Sequence, residues 1–171
     1  MLRKNLKPIL LVLICLVLAS LFLMTFYVMP RAGIGPAQPI SFSHRLHAGV
    51  KRIDCRFCHP YVDRSAFPGI APVEKCLFCH KHIIAKHPEI LKEHRYFNSN
   101  TSTPWRKTTF VPEHVLFNHQ RHIRKQIQCE QCHGEIRKMD RIPKNRFKMS
   151  FCIECHREKK ANLDCWLACH S

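Results

Sequence analysis

Cys55-Arg56-Phe57-Cys58-His59 is the first of four copies of one pattern, in which two cysteines stand three positions apart and a histidine follows the second. The other copies begin at Cys76, Cys129 and Cys152, and a version with one more residue between its cysteines begins at Cys165. This pattern is typical of c-type haem attachment, because the two thiols bond the porphyrin and the histidine binds its iron. The five motifs therefore predict five covalently bound haems.

Each motif assigns a role to three of its residues. The histidines are the predicted proximal iron ligands, namely His59, His80, His133, His156 and His170. The cysteines are the predicted attachment sites, namely Cys55, Cys58, Cys76, Cys79, Cys129, Cys132, Cys152, Cys155, Cys165 and Cys169.

Two other kinds of chemistry use closely spaced cysteines. Zinc sites are built from Cys and His ligands, and small exported domains often carry a framework of disulfides. Neither requires a histidine directly after the second cysteine in all five motifs, so we favour haem. The remaining cysteine, Cys15, lies in the apolar N-terminal run and is interpreted as a lipid-facing or packing residue.

The ratio of polypeptide to haem predicts the fold class. About 140 residues follow the apolar run, or roughly 28 for each haem, which is too little chain to build a large apolar core of its own. We expect a mostly irregular fold with short α-helices around a five-haem core and almost no sheet.

The N-terminal region predicts a membrane anchor. Residues 9–29 carry no charge and are long enough to cross a bilayer as a helix. Arg3, Lys4 and Lys7 precede this run, so residues 1–8 are predicted to be a cytoplasmic tail of a single-pass bacterial membrane protein. The haem domain would then lie on the periplasmic side. A cleaved signal peptide is the alternative, but the apolar run is long for one.

An internal repeat organises the rest of the chain. Residues 30–40 form a predicted linker rich in glycine and proline, and residues 41–171 form the predicted pentahaem domain. Phe-x-His-x-x-His occurs at 42–47 and again at 117–122, each time shortly before a pair of haem motifs. The repeat units cover about 41–81 and 116–157, and the fifth motif, 165–170, follows the second unit.

The repeated histidine pairs are predicted to be distal iron ligands. His44 and His47 stand three positions apart, as do His119 and His122, so in a helical turn both members project to one side. These four histidines leave one iron without a distal ligand. The candidates for it are His82, His87, His94, His114, Met139 and Met149.

The repeat and its surroundings resemble a known family. Phe-x-His-x-x-His before a haem motif is similar to the class III multihaem cytochromes of the c3/c7 type. The chain further resembles the pentahaem membrane-anchored cytochrome subunit of alternative complex III, a bacterial quinol:cytochrome c oxidoreductase. This second resemblance is based first on the segment from Phe42 to Cys79, which contains His-Ala-Gly at 47–49 and Gly-Ile-Ala-Pro at 69–72. It is based also on three later segments, Pro104-Trp105, residues 111–119 and Cys132-His133-Gly134.

The resemblance implies ligands and partners. The first histidine of each pair, His44 or His119, would ligate the haem that follows it, and the second, His47 or His122, a more distant haem. Met149 and Met139 become the favoured fifth distal ligands, because the family is not expected to place ligands at the remaining histidines. Implied partners are an iron–sulfur and molybdopterin-oxidoreductase-like subunit, multi-spanning quinol-binding subunits, and a monohaem cytochrome c or terminal oxidase.

Charge and motif content narrow the function. The formal charge of +16 would favour nucleic acid, but haem propionates would neutralise most of it and no nucleic-acid motif is present, so we expect no such partner. The sequence shows no paired-carboxylate, Ser/His/Asp or phosphate-loop motif. We therefore expect an electron-transfer subunit with no catalytic residues of its own. The alternatives are a stand-alone membrane-anchored quinol dehydrogenase and a small multihaem reductase.

Overall fold

The computed structural model describes residues 6–28 and 34–170, and the chain divides into two compact units, Met1–Gly35 and Pro36–Ser171. In the first unit, helix α1 spans Leu6–Leu23 and continues as a π-helical segment over Met24–Val28. The segment Lys7–Tyr27, with a mean hydropathy of 3.0, is long and apolar enough to cross a membrane.

The apolar helix is consistent with the predicted single-pass anchor. Two of its polar side chains bond its own backbone, since the Ser20 hydroxyl donates to the Val17 carbonyl and the Thr25 hydroxyl to the Leu21 carbonyl. Such bonds suit a lipid environment, where no water competes for polar groups. Arg3 and Lys4, on which the predicted orientation depends, lie outside the described residues, as do residues 29–33 of the run and the linker.

The second unit consists of short helices joined by irregular segments. The α-helices are α2 (Cys55–Cys58), α3 (Val73–His80), α4 (Pro88–Asn98), α5 (His119–Arg124), α6 (Cys129–His133) and α7 (Met149–Glu158). Two π-helical segments cover Arg45–Val50 and Cys165–Cys169, and a 3-10 turn covers Ile136–Lys138. This architecture confirms the prediction of short helices in a mostly irregular chain.

Regular sheet is confined to a few residues of the described chain. Strand β1 (Thr109–Phe110) pairs in parallel with β2 (Asn145–Arg146), with Thr109 beside Asn145. An isolated antiparallel bridge joins Val115 to His170. These short pairings join the segment before α5 to the segment before α7 and to the C-terminal motif.

The longest helix of the second unit has clear start signals. Pro88 occupies the first turn of α4, where its missing N–H costs nothing, and the His87 side chain accepts a hydrogen bond from the Glu89 N–H at 3.3 Å. Ile90 of α4 packs with Val73 and Leu77 of α3 in a buried cluster. With Ile40, these are the buried hydrophobic residues of the described chain. The apolar core that the polypeptide forms by itself is therefore small, as the sequence predicts.

Candidate haem-binding site

The first motif is folded as a single helical turn. The Asp54 carboxylate accepts a hydrogen bond from the Arg56 N–H at 2.8 Å and so caps α2. The His59 N–H donates to the Cys55 carbonyl at 2.9 Å. Cysteines three positions apart on such a turn project to the same side, so the thiols and the imidazole of one motif can reach one porphyrin.

The wider motif reaches a similar arrangement by a different backbone. Cys165–Cys169 is a π-helical segment, and the His170 N–H donates to the Cys165 carbonyl at 2.8 Å, as His59 does to Cys55. The Asp164 carboxylate caps this turn through the N–H groups of Trp166 and Leu167. A π-turn accommodates one residue more than an α-turn, so the extra residue does not change the hydrogen bond between the histidine and the first cysteine.

Other uses of the cysteines find no support in the described residues. The motif cysteines are free thiols, and in residues 6–28 and 34–170 no group of three or more His, Cys, Asp or Glu side chains is placed to hold a metal ion. A tetrahedral zinc site needs four such ligands close together.

Three predicted distal histidines face three motif histidines. The ring centroids of His47 and His80 are 6.0 Å apart, those of His119 and His133 are 6.4 Å apart, and those of His122 and His156 are 6.1 Å apart. An imidazole nitrogen binds a first-row metal at about 2 Å, so two rings on opposite sides of one iron have centroids roughly 6 Å apart. The donor set and spacing fit bis-histidine haem.

His44 lies near the first motif. Burial, together with smaller contributions from the nearby His59 and His47, lowers the pKa of His44 to about 4. A neutral imidazole is the form that binds a metal. His44 is thus in the vicinity of His59, as the resemblance implies, although a ring-to-ring contact like those of the other pairs is not formed.

A phenylalanine supports each histidine pair in the same manner. The Phe42 ring stacks on His47, with centroids 4.3 Å apart, and meets the edge of His44 at 4.9 Å. The Phe117 ring stacks on His122 and meets His119 edge-on in the second unit. Sequence reasoning noted the repeated phenylalanine without assigning it this role, and its recurrence before each pair was the available signal.

Backbone carbonyls fix the orientation of most of these imidazoles. The acceptors for the Nδ1 atoms are Ser43 for His47, Gly69 for His59, Ile83 for His80, Ala66 for His119, Asn118 for His122, Asn162 for His156 and His114 for His170. A hydrogen bond from Nδ1 leaves Nε2 unprotonated and available to a metal, and it orients the ring. These carbonyl partners carry no sequence signal, because any residue can supply them.

The two repeat units contact each other through the segments that carry the predicted ligands. The His119 Nδ1 and N–H both bond the Ala66 carbonyl, at 2.8 and 3.2 Å. The Arg45 guanidinium pairs with the Asp140 carboxylate at 3.0 Å. A Cβ on Gly49 would overlap the carbonyl oxygen of Arg137. Each contact joins the first unit to the second.

Contacts between motifs give their spatial sequence, beginning with the second motif. The rings of Phe57 and Phe78, in the first and second motifs, are 6.4 Å apart. Burial raises the pKa of the Cys129 thiol in the third motif, and the nearby Cys55 of the first motif raises it further. The first motif therefore lies between the second and the third.

The remaining motifs continue this sequence. Burial raises the pKa of Cys132 in the third motif, with a further contribution from the fourth-motif thiols Cys155 and Cys152. Burial also raises the pKa of Cys152, and the nearby Cys169 of the fifth motif raises it further. The motifs thus neighbour one another in the order second, first, third, fourth, fifth.

The candidates for the fifth distal ligand are in different places. His114 stacks on His170, with centroids 5.2 Å apart and planes at 24°. Met149 begins α7 with 65% of its surface exposed, and the Met139 methyl lies beside Gly134, after the third motif. His87 caps α4, and His82 is exposed in the turn after α3.

A buried carboxyl group lies beside the second motif. Glu93 of α4 has 2% of its surface exposed and accepts a hydrogen bond from the Thr103 hydroxyl at 3.1 Å. Burial raises its pKa, against smaller lowering contributions from that hydrogen bond and from His80. Sequence reasoning did not select Glu93, because nothing in a single sequence distinguishes it from an exposed helical glutamate.

Five cysteine–histidine motifs on short helical segments, with facing imidazoles within each repeat unit, are features of multihaem cytochromes c. No protein-family model matches the chain. The chain is 26% identical to the menaquinone reductase, multiheme cytochrome c subunit, of Nitratidesulfovibrio vulgaris, in a match that covers 70% of this chain and 67% of the relative. This similarity supports a multihaem cytochrome c family with covalently bound haems and does not single out alternative complex III.

Proposed function

We propose that the chain is a membrane-anchored electron-transfer subunit of a quinone-linked oxidoreductase and carries electrons through five c-type haems. The observation that carries the proposal is the set of facing histidine pairs, His47 with His80, His119 with His133, and His122 with His156. Each pair joins a motif histidine to a predicted distal ligand at the separation that one iron requires. The relative, named as a subunit of a menaquinone reductase, supports the link to quinones.

Bound haem supplies the one-electron chemistry, and the chain's own residues hold each porphyrin. Ten cysteines provide the covalent bonds. His59, His80, His133, His156 and His170 provide the proximal nitrogens, and His44, His47, His119 and His122 the distal ones. Carbonyl hydrogen bonds at Nδ1 keep most of these rings in the orientation and tautomer that ligation needs.

The spatial order of the motifs suggests where electrons enter and leave. In a series built from these neighbours, the second motif would be at one end and the fifth at the other, with the first, third and fourth between them. Neighbouring motifs are close enough for thiols to interact, so electron transfer along the series is the arrangement that this packing favours. Partner subunits would then exchange electrons with the haems of the second and fifth motifs.

The assembly is proposed to resemble alternative complex III or a menaquinone reductase. The first would place an iron–sulfur and molybdopterin-oxidoreductase-like subunit and multi-spanning quinol-binding subunits beside this chain. The electron acceptor would be a monohaem cytochrome c or terminal oxidase in the first case. The haem domain would lie on the periplasmic side of the cytoplasmic membrane, with residues 1–8 in the cytoplasm.

A native gel of mildly solubilised membranes, stained for haem and followed by mass spectrometry of the bands, tests the assignment. We expect the chain in a large band with iron–sulfur and multi-spanning subunits. Migration alone near its own mass, with five haems, would favour a stand-alone quinol dehydrogenase. Fewer than five haems would overturn the proposed cofactor content.

Optical titration of the purified assembly separates the two directions of electron flow. If the complex is of the alternative complex III type, a reduced quinol analogue reduces the haems and added oxidised cytochrome c reoxidises them. A menaquinone reductase gives the reverse pattern, in which haems first reduced by a low-potential donor such as dithionite are reoxidised by an added menaquinone analogue.

A further inference from the structure

We propose that His114 is the distal iron ligand of the haem attached at Cys165 and Cys169, an assignment that rests on the proposed haem content. This replaces Met149 and Met139, the ligands favoured by sequence resemblance. The fifth motif, 165–170, is the one for which neither histidine pair, 44/47 or 119/122, provides a distal ligand.

The ring geometry is the first observation. The planes of the His114 and His170 rings are 24° apart and their centroids are 5.2 Å apart, a spacing shorter than the 6.0–6.4 Å of the other three pairs. One iron between two imidazoles requires centroids roughly 6 Å apart, so the His114 side chain would move away from His170 by about 1 Å when haem binds. His114 is exposed, and the loop that carries it is free of the buried core, so such a small movement meets little resistance.

The backbone around His114 is the second observation. The Leu116 N–H donates to the Cys169 carbonyl at 2.8 Å, and Val115 forms an antiparallel bridge with His170. These contacts attach the segment before α5 to the last motif. His114 is therefore held beside His170 by backbone pairing that does not depend on its own side chain.

The hydrogen bond of His170 is the third observation. Its Nδ1 lies 3.3 Å from the carbonyl oxygen of His114. This contact matches the Nδ1-to-carbonyl pattern of the other motif histidines, in which Nε2 is the atom left for the iron. The residue that contributes the facing ring thus also orients the proximal ring.

The competing side chains are placed elsewhere. Met139 lies after the third motif, where its carbonyl accepts a hydrogen bond from the Arg45 N–H at 2.8 Å. Met149 is exposed at the start of the helix that carries the fourth motif and is the nearest rival in sequence. With His114 in place, all five irons have two imidazole ligands and no open coordination position, which argues against a multihaem reductase.

Variants of the full-length chain, purified in detergent with any native partners, test this assignment. Mass spectrometry first counts the haems. A wild-type count below five overturns the proposed haem content, and it overturns the His114 assignment as well if the motif without haem is Cys165–Cys169. With five haems present, His114→Ala is expected to convert one haem in five from low to high spin in the EPR spectrum, and added imidazole is expected to restore the low-spin signal.

Two further variants distinguish direct ligation from a structural effect. His114→Met should give one haem with a raised midpoint potential, because a Met ligand raises the potential relative to bis-His. Met149→Leu should leave all five haems low-spin and their potentials unchanged. The assignment is overturned if His114→Ala retains five low-spin haems, or if Met149→Leu produces the high-spin signal.

Discussion

The ring of Phe117 stacks on the ring of His122, with centroids 4.5 Å apart and planes at 29°. The contact fixes the rotation of an imidazole whose other constraint is the bond from Nδ1 to the Asn118 carbonyl. Phe42 repeats it on His47 in the first unit. A stacked pair of this kind contributes about 0.5–1.5 kcal/mol beyond area burial.

Phe117→Leu should therefore broaden or shift the EPR signal of one low-spin haem and lower the free energy of unfolding by about 1 kcal/mol. Phe42→Leu, the matched variant, should do the same to a different haem. Phe67→Leu, at a ring that is 79% exposed, serves as the control and should change neither quantity. An equal effect of all three substitutions would refute a specific role for the stacked rings.

The wider motif should hold a haem as firmly as the others. Its π-turn keeps the hydrogen bond from His170 to Cys165, so we expect covalent attachment at both cysteines. The double variant Cys165→Ala, Cys169→Ala should lose one haem mass from the purified chain, leaving four. Cys15→Ser should keep five, and an unchanged mass in the double variant would show that the fifth motif carries no haem.

Gly49 marks a close approach of the two repeat units. Its missing side chain faces the Arg137 carbonyl, a backbone group that cannot rotate away. Gly49→Ala should cost about 1–3 kcal/mol by overpacking and lower the thermal midpoint by several degrees. Val50→Ala, at an exposed neighbour, is the control. A Gly49→Ala midpoint within one degree of the wild type would mean that the units separate easily at this point.

Glu93 should make stability depend on pH. Burial raises the pKa of Glu93, so between its unfolded and folded values the native state holds more protons than the unfolded state, and stability falls as pH rises through this window. Glu93→Gln keeps an acceptor for Thr103 and removes the titration. Thermal midpoints from pH 4 to pH 8 should decline more for the wild type than for this variant.

Glu158→Gln, at an exposed helical carboxylate, is the matched control for this comparison. It should follow the wild-type pH profile. If Glu93→Gln also follows it, the buried carboxyl does not contribute to the pH dependence.

Local features of this molecule could be predicted from sequence. The haem motifs fit within one helical turn, so residue spacing alone places Cys55, Cys58 and His59 together. The pairs at 44/47 and 119/122 are likewise three positions apart. The structure brings three of these four histidines opposite motif histidines, and the start of α4 at Pro88 follows directly from its cap and proline.

Long-range features could not be predicted in the same way. His114 contacts His170 across 56 positions, and single-sequence reasoning has no means to select that pair from six candidates. The proximity of Cys55 to Cys129 also depends on how the two repeat units pack against each other. The wider spacing between Cys165 and Cys169 is compatible with a π-turn but also with other backbone conformations, so the sequence alone does not predict the π-turn.

The hydrogen bonds between His119 and the Ala66 carbonyl bear on how the chain could have arisen and matured. A duplicated module would at first have supported its own ligands, but here His119, a predicted ligand in the later copy, depends on a backbone group of the earlier one. Either half produced alone would lack part of its support. Because the N-terminal half is synthesised first, the Ala66 carbonyl is available as a docking point before His119 is added to the chain.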